Sequence, residues 1–335
     1  MNKRLETNLY TKKELRFNKN GKFRILMMSD LQETLEYDRR SLKAIEDITD
    51  NVRPELVIFG GDNCNGHVIK TAEELQKYLK IFTEPLEKRG IPWAHVFGNH
   101  DHDCDCNDYI QQEIYEGFPY CVSKHTDEDV HGVTNFVLPI KGFDSEKIKF
   151  NVWGLDTNNL IKEINDPVYI GDIEKDCYVP NRPKESSCWD ILRFNQLMWY
   201  WNSSEEIEKY NGESINSLMV MHIAPWEFGI VRNNLETGRI GNIDENLGLG
   251  LLNSGIFAAC LQRGDIRCIA SGHTHMDNFE GTYCGIKMCL DSCVGFSPYG
   301  IDELRGGRIF DIDENNTSEI STQMIYALDI KAVTE

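Results

Sequence analysis

Residues 23–30 read FRILMMSD, an apolar, β-compatible run that closes on Asp30. A polar stretch, LQETLEYD (31–38), leads into SLKAIEDITDNV (41–52), which carries helical periodicity. The pattern then repeats. ELVIFG (55–60) ends at Gly61-Asp62, TAEELQKYLKIFTEPLEKRG (71–90) is helical, and PWAHVF (92–97) ends at Gly98-Asn99-His100-Asp101. Asp30 and Asp62 are 32 residues apart and Asp62 and Asn99 are 37 apart, each the span of one βαβ unit of about 30 or more residues. Parallel strands with right-handed crossovers place three polar strand ends on one sheet edge, where open α/β sheets bind ligands.

Downstream, NFVLPI (135–140) and KIKFNVWGLDT (147–157) read as antiparallel strands. The polar stretch from Asn158 to Ser187 reads as a lid or substrate loop, and WDILRFNQLMWYWNSSEEIEKY (189–210) as a helix. A fourth core strand, SLMVMHIA (217–224), delivers His222, and a fifth, IRCIASG (266–272), is followed by His273-Thr274-His275. The remainder, FEGTYCGIKMCLDSC (279–293), GGRIFDID (306–313) and ISTQMIYALDI (320–330), alternates like a meander that forms a second sheet packed on the first.

The chain has 335 residues, 41% of them hydrophobic, enough to bury a substantial core. Neither a repeat nor a linker divides it, so it reads as a single domain, 1–335, with a core of about 22–330 and an N-terminal extension over 1–21. The net charge of −19 repels polyphosphate backbones, and Lys and Arg are scattered (EKRG at 87–90, LRGGR at 304–308), which disfavours a nucleic-acid binder. There is no signal-like apolar core near the N-terminus and no run of about 20 apolar residues, so the expectation is a cytoplasmic protein without a membrane span. The 11 cysteines, unevenly spaced, read as reduced thiols.

The strand-end residues Asp30, Asp62, Asn99, His222, His273 and His275 offer carboxylate and amide oxygens and imidazole nitrogens, a set suited to Mn, Fe or Zn. One central carboxylate can bridge two cations about 3.5–4 Å apart, and such a pair activates water and stabilises attacking and leaving oxygens. Phosphoryl transfer is the natural use.

Five blocks, SDLQ (Ser29–Gln32), GGDN (Gly60–Asn63), GNHD (Gly98–Asp101), MHIAP (Met221–Pro225) and GHTH (Gly272–His275), occur in an order that resembles the calcineurin-like metallophosphoesterases over roughly residues 23 to 300. The resemblance implies an α/β fold, a βαβαβ-based four-layer α/β/β/α sandwich of two mixed sheets with the metal site at strand C-terminal ends. It implies that Asp62 bridges two divalent ions, that Asp30 and His275 hold the first and Asn99, His222 and His273 the second, and that His100 stands beside the substrate. His100 would then stabilise phosphoryl charge or protonate the leaving oxygen, with Asp101 fixing its tautomer. Gly61, Gly98 and Gly272 allow tight turns close to the metals.

One position departs from the family. Where many members have D-x-H, this chain has Asp30-Leu31-Gln32, so Gln32 either ligates the first metal through its amide oxygen or leaves a position to water. The purple acid phosphatase branch also lacks that His but has a Tyr three residues after the bridging Asp; Asn65 stands there, so Fe(III)-tyrosinate chemistry is not expected. The metals are therefore Mn, Fe or Zn, with Mg or Co as further options.

The expected activity is hydrolysis of a small phosphoester or a phosphoprotein by a water or hydroxide that two metals activate for in-line attack on phosphorus. Two other readings stand beside it: a nuclease-type phosphodiesterase, and a non-catalytic scaffold in which Gln32 leaves a single cation. Monoester or diester preference and oligomeric state stay open. His102, Asp103, Cys104 and Cys106 read as solvated loop residues. His67 and Asp277 either line the cleft or cap local structure, and Trp199 to Trp201 reads as core packing.

Overall fold

The structure, a computed structural model, describes residues 3–125, 129–161 and 189–330. In chain order the main elements are α1 (Lys3–Leu9), β1 (Leu15–Arg16), β2 (Lys22–Met28), α2 (Arg39–Val52), β3 (Leu56–Phe59), α3 (Ala72–Phe82), α4 (Glu84–Arg89), β4 (Trp93–His95) and α5 (Asp108–Glu116). They continue with β5 (Phe136–Lys141), β6 (Ile148–Leu155), α6 (Phe194–Asn211), β7 (Ser217–Met221), α7 (Glu227–Asn233), α8 (Ile256–Arg263) and β8 (Ile266–Ser271). Four strands close the chain: β9 (Glu280–Tyr283), β10 (Ile286–Leu290), β11 (Gly306–Asp313) and β12 (Asn316–Tyr326).

Local chemistry sets the first two βαβ units. Asp38 caps α2 by accepting from the Arg40 N–H at 2.8 Å, and Thr71 and Glu74 form a reciprocal capping box at α3, satisfying amide groups that a helix start leaves unpaired. β2, β3 and β4 then pair in parallel, with Met27 opposite Ile58 and Ile58 opposite Ala94. Alternation along β2 sends Ile25 and Met27 to one face and Leu26 and Met28 to the other, so both faces are buried.

Among the described residues, twelve strands form two mixed sheets, ordered β12-β11-β2-β3-β4 and β1-β5-β6-β7-β8-β10-β9. One apolar cluster, including Ile25, Ile58, Val152, Val220 and Ala270, lies between the sheets. A second, with Ile45, Leu79 and Phe59, lies between the smaller sheet and α2 and α3; a third, with Trp153, Tyr200 and Phe257, lies between the larger sheet and α6 and α8. The layers are thus α/β/β/α, as expected, and Trp199 packs in the core against Trp153.

Three expectations need correction. The strands that precede His222 and His273, β7 and β8, belong to the second sheet and not to the one built by β2, β3 and β4. The C-terminal meander is divided: β9 and β10 extend the larger sheet, while β11 pairs antiparallel with β2 in the smaller one. Long-range pairing decides this, because alternation alone does not say which open edge a strand joins. The helix expected from Trp189 begins at Phe194, because Trp189 is in an antiparallel bridge with Leu160. The residues of the N-terminal extension supply α1 and β1, and β1 pairs parallel with β5. Most of the loop expected over Asn158 to Ser187 lies outside the described residues.

Candidate metal centre

Both sheets bring strand ends to one place. The loops after β2 and β3 are tied by two backbone hydrogen bonds, from the Asp30 N–H to the Gly61 carbonyl and from the Gln32 N–H to the Asp62 carbonyl, each 3.0 Å. Asp30, Gln32, Asp62 and His273 all hold left-handed backbone conformations, with φ of 55°, 40°, 50° and 71°. Non-glycine residues adopt these at a cost that surrounding structure must offset, and such residues gather at functional sites.

Asp62 is the point at which two ligand groups meet. Asp62, His222 and His273 form one, Asp30, Asp62 and His275 the other, with donor atoms of each within 4.8 Å of one another. His222 Nε2 lies 3.2 Å from Asp62 Oδ2 and 3.8 Å from Asp30 Oδ1; His275 Nε2 lies 3.3 Å from Asp30 Oδ1. The backbone keeps these rings oriented. His222 Nδ1 donates to the Gly60 carbonyl and His275 Nδ1 to the Tyr299 carbonyl, both at 2.8 Å, leaving each Nε2 turned inward. His275 also stacks on the Tyr299 ring at 4.1 Å, and Trp189 meets His273 edge-on at 4.7 Å.

The donor set fits a cation. Asp30 Oδ1, Asn99 Oδ1 and His222 Nε2 are buried and make no hydrogen bond, whereas buried polar atoms ordinarily find a partner. Electrostatics agrees. Burial works to raise Asp62, but the imidazoles of His222, His100 and His273 outweigh it and hold this carboxyl well below the ordinary range. Burial lowers His222 while Asp62 and Asp30 raise it, to about 9; burial and the neighbouring His222 push His273 down to about 3. Backbone approach is close as well: a Cβ on Gly98 would stand 2.3 Å from Asp62 Oδ1 and 2.7 Å from the His222 ring.

Gln32 comes to the same place, but its nitrogen faces inward: Nε2 donates to Asp62 Oδ2 at 2.7 Å and lies 3.2 Å from His275 Nε2. His100 borders the centre, its backbone N–H donating to Asp62 Oδ1 at 2.7 Å and its ring 32% exposed. The expected bond from Asp101 to the His100 ring is not made. Asp101 is fully buried and accepts from the N–H groups of Gly98 and Asn63 and from the Asn63 amide, between 2.8 and 3.1 Å. Burial and the Asp62 charge push its carboxyl up to about 7, against those donors. The turn from residue 98 to 104 has aimed it at its own backbone, and Asp103 takes its expected place, 2.8 Å from His100 Nδ1 and 3.1 Å from His67 Nε2.

Asp103 and His102 are therefore not solvated loop residues. His102 is held between Asp108 and Asp156, at 3.0 and 3.1 Å. His67 is beside His100, with ring centres 5.3 Å apart, and its Nε2 reaches Asp103. Asp277 caps local structure, accepting from the Asp244 and Glu245 N–H groups at 2.6 and 3.1 Å, with burial raising it to about 6. The contacts of Trp189 and Tyr299 with the imidazoles had no signal in the sequence; the one for Asp103 was its spacing of three from His100 in a tight turn.

Comparisons with known proteins agree with this fold. The chain is 24% identical over 323 residues to a protein of Arabidopsis thaliana named "Probable inactive purple acid phosphatase 14", spanning 87% of this chain and 75% of that one. The crystal structure of a dimetal phosphatase from Danio rerio superposes with a TM-score of 0.54 at 12% identity, covering 91% of this chain and 99% of the other. GAP50, described as the anchor in the inner membrane complex of Plasmodium, gives a TM-score of 0.54 at 12% identity, over 94% of this chain and 87% of its own. Residues 23–277 match the sequence model of the calcineurin-like phosphoesterases, and the chain belongs to that family.

Proposed function

We propose that this protein hydrolyses a small phosphoester or a phosphoprotein at a divalent-metal centre. The observation that carries the reading is Asp62, a carboxylate shared by two ligand groups in which the buried Asp30 Oδ1 and His222 Nε2 make no hydrogen bond. Asp30, Asp62 and His275 would hold one cation, and Asp62, Asn99, His222 and His273 the other, with Mn, Fe or Zn suited to this mixture of oxygen and nitrogen. When bound, such a pair supplies Lewis acidity, activating water and neutralising phosphoryl charge.

The protein's own groups position and protonate. His100 Nδ1 is paired with Asp103, so Nε2 is the nitrogen left for a leaving oxygen, and the His100 N–H holds Asp62 in place. Tyr299 and Trp189 wall the two imidazoles that they contact. The net charge of −19 supports a small substrate over a long nucleic acid. Among the described residues no helix is long and apolar enough to cross a membrane.

The test pairs elemental analysis of the purified protein with hydrolysis of an aryl phosphomonoester and an aryl phosphodiester, with and without Mn(II). Metal-dependent turnover that Asp62→Asn abolishes in a folded protein supports the reading and chooses the ester. A second reading, a non-catalytic metal-binding scaffold, is favoured by the name of the Arabidopsis relative, which calls that protein inactive. Bound metal without turnover on either ester would select it.

A further inference from the structure

The two ligand groups at Asp62 differ in one respect that bears on how many cations the centre holds. In the Asp30–Asp62–His275 group, two acceptors already face a donor. The Gln32 side chain, only 8% exposed overall with its residue, donates from Nε2 to Asp62 Oδ2 at 2.7 Å, and the same nitrogen lies 3.2 Å from His275 Nε2. His275 gives its Nδ1 proton to the Tyr299 carbonyl, so its Nε2 presents a lone pair to Gln32. These neighbours select the amide nitrogen as the inward atom. An amide oxygen in that place would meet a carboxylate oxygen at hydrogen-bond distance and an imidazole lone pair beside it, with no proton between any of them.

Gln32 is also anchored. Its own N–H donates to the Asp62 carbonyl at 3.0 Å, and its backbone is held at φ 40°. Nothing comparable serves the other group. His222 Nε2 and Asn99 Oδ1 are buried and make no hydrogen bond, while His222 Nδ1 donates outward to the Gly60 carbonyl. In the first group Asp30 Oδ1 alone is left without a hydrogen-bond partner while Gln32 occupies the other two members; in the second, His222 Nε2 and Asn99 Oδ1 are both left open to a cation.

We propose that the Gln32 amide is a built-in substitute for the first cation. The protein then holds one cation tightly, in the Asp62–Asn99–His222–His273 group. It accepts a second beside Asp30 and His275 only after Gln32 swings away or turns its oxygen inward. Breaking two buried hydrogen bonds to admit that ion makes the second binding step about 10–100-fold weaker than it is without the amide. The proposal rests on the reading of this centre as a metal site.

The test uses the full chain and Mn(II) alone. Protein loaded with excess Mn(II) is dialysed to micromolar Mn(II) and analysed for metal per chain, and the same samples are inspected by EPR for an exchange-coupled Mn pair. The expected result is one Mn per chain without a coupled signal, and a coupled signal appearing only on titration to higher Mn(II). Gln32→Ala, which removes the competing donor, is expected to strengthen the second step about 10–100-fold. Gln32→His, which puts a lone pair where the amide has its protons, is expected to retain two Mn per chain. Two Mn per dialysed wild-type chain, with Gln32→Ala losing one, would overturn the proposal and make Gln32 a ligand. If the wild type binds no Mn(II) at any concentration, the metal reading itself falls and the proposal with it. The wild-type titration decides between these outcomes even where a variant does not fold.

Discussion

Asp103 Oδ2 lies 2.8 Å from His100 Nδ1, and its other oxygen accepts from the Asn159 amide, also at 2.8 Å. The carboxylate is thus held from one side by the segment after β6 while it holds His100 from the other. It fixes the proton on Nδ1 and leaves Nε2 as the ring nitrogen free to face a leaving oxygen. If His100 protonates the leaving oxygen, Asp103→Asn should matter most where that oxygen is a poor leaving group. The expected outcome is a loss in kcat of about 10–100-fold on an alkyl phosphate and a several-fold smaller loss on 4-nitrophenyl phosphate. Steady-state kinetics on the two esters checks this, and equal losses on both would remove His100 from the proton-donor role.

Asp101 makes a different prediction because it serves the backbone. It gathers the N–H groups of Gly98, Asn63 and Cys64 and the Asn63 side chain at a fully buried site. Asp101→Ala strands several of these donors, and each unsatisfied buried group costs about 1–3 kcal/mol. A stability loss of about 3 kcal/mol or more is expected in urea denaturation. A loss no larger than that of a surface substitution would show that water reaches this site.

The His102–Asp156 pair gives a pH dependence. Burial lowers His102, but Asp156 and Asp108 outweigh it and raise it well above its ordinary value; burial raises Asp156, but His102 outweighs it and holds it below the usual range. A raised histidine contributes stability that is full below its unfolded value of 6.5 and is lost as pH climbs through the folded value. A depressed carboxyl contributes stability that is full above its unfolded value of 3.8 and is lost as pH falls through the folded value. The pair is at full strength between those two limits. Asp156→Asn is expected to cost about 3–5 kcal/mol at pH 5.5, the usual cost of breaking one side of a buried pair. At pH 10 the difference from wild type should be smaller. Chemical denaturation of both proteins at the two pH values measures it, and a difference that does not change with pH would mean that His102 keeps the same charge at both.

The candidate ligands were legible because each combines a metal-compatible side chain with a place at or just beyond the end of an apolar run, and three of the six (Asp62, Asn99 and His273) also follow a glycine. Asp62 after Gly61 and Asn99 after Gly98 are of this kind. The partner of His100 was not, because Asp101, Asp103 and Asp105 alternate in one short loop and composition treats them alike. Tight-turn hydrogen bonds, from Asp101 N–H to Gly98 and from Asp103 N–H to His100, bring the residue three positions on over the ring. The parallel strand-helix units were readable from their spacing. The pairing of β11 with β2 was not, since Arg308 opposite Met27 is set by the whole sandwich and not by either segment.

The glycine beside Asp62 supplies the last prediction. A Cβ on Gly61 would stand 2.4 Å from His222 Nδ1, nearer than any real Cβ contact, and the residue sits at φ 98°. The ring cannot yield, because Nδ1 is bound to the Gly60 carbonyl on the same side. Gly61→Ala is therefore expected to displace His222 and weaken Mn(II) binding about 10–100-fold, as loss of ligand orientation does elsewhere. Gly212, at φ 84° with nothing within 4 Å of its would-be Cβ, isolates the backbone part of the effect. Gly212→Ala should cost roughly 1–2 kcal/mol of stability through the left-handed backbone alone and leave Mn(II) affinity unchanged. Equal losses of affinity in the two variants would assign the effect to global destabilisation; a loss confined to Gly61→Ala would place it at the contact with His222.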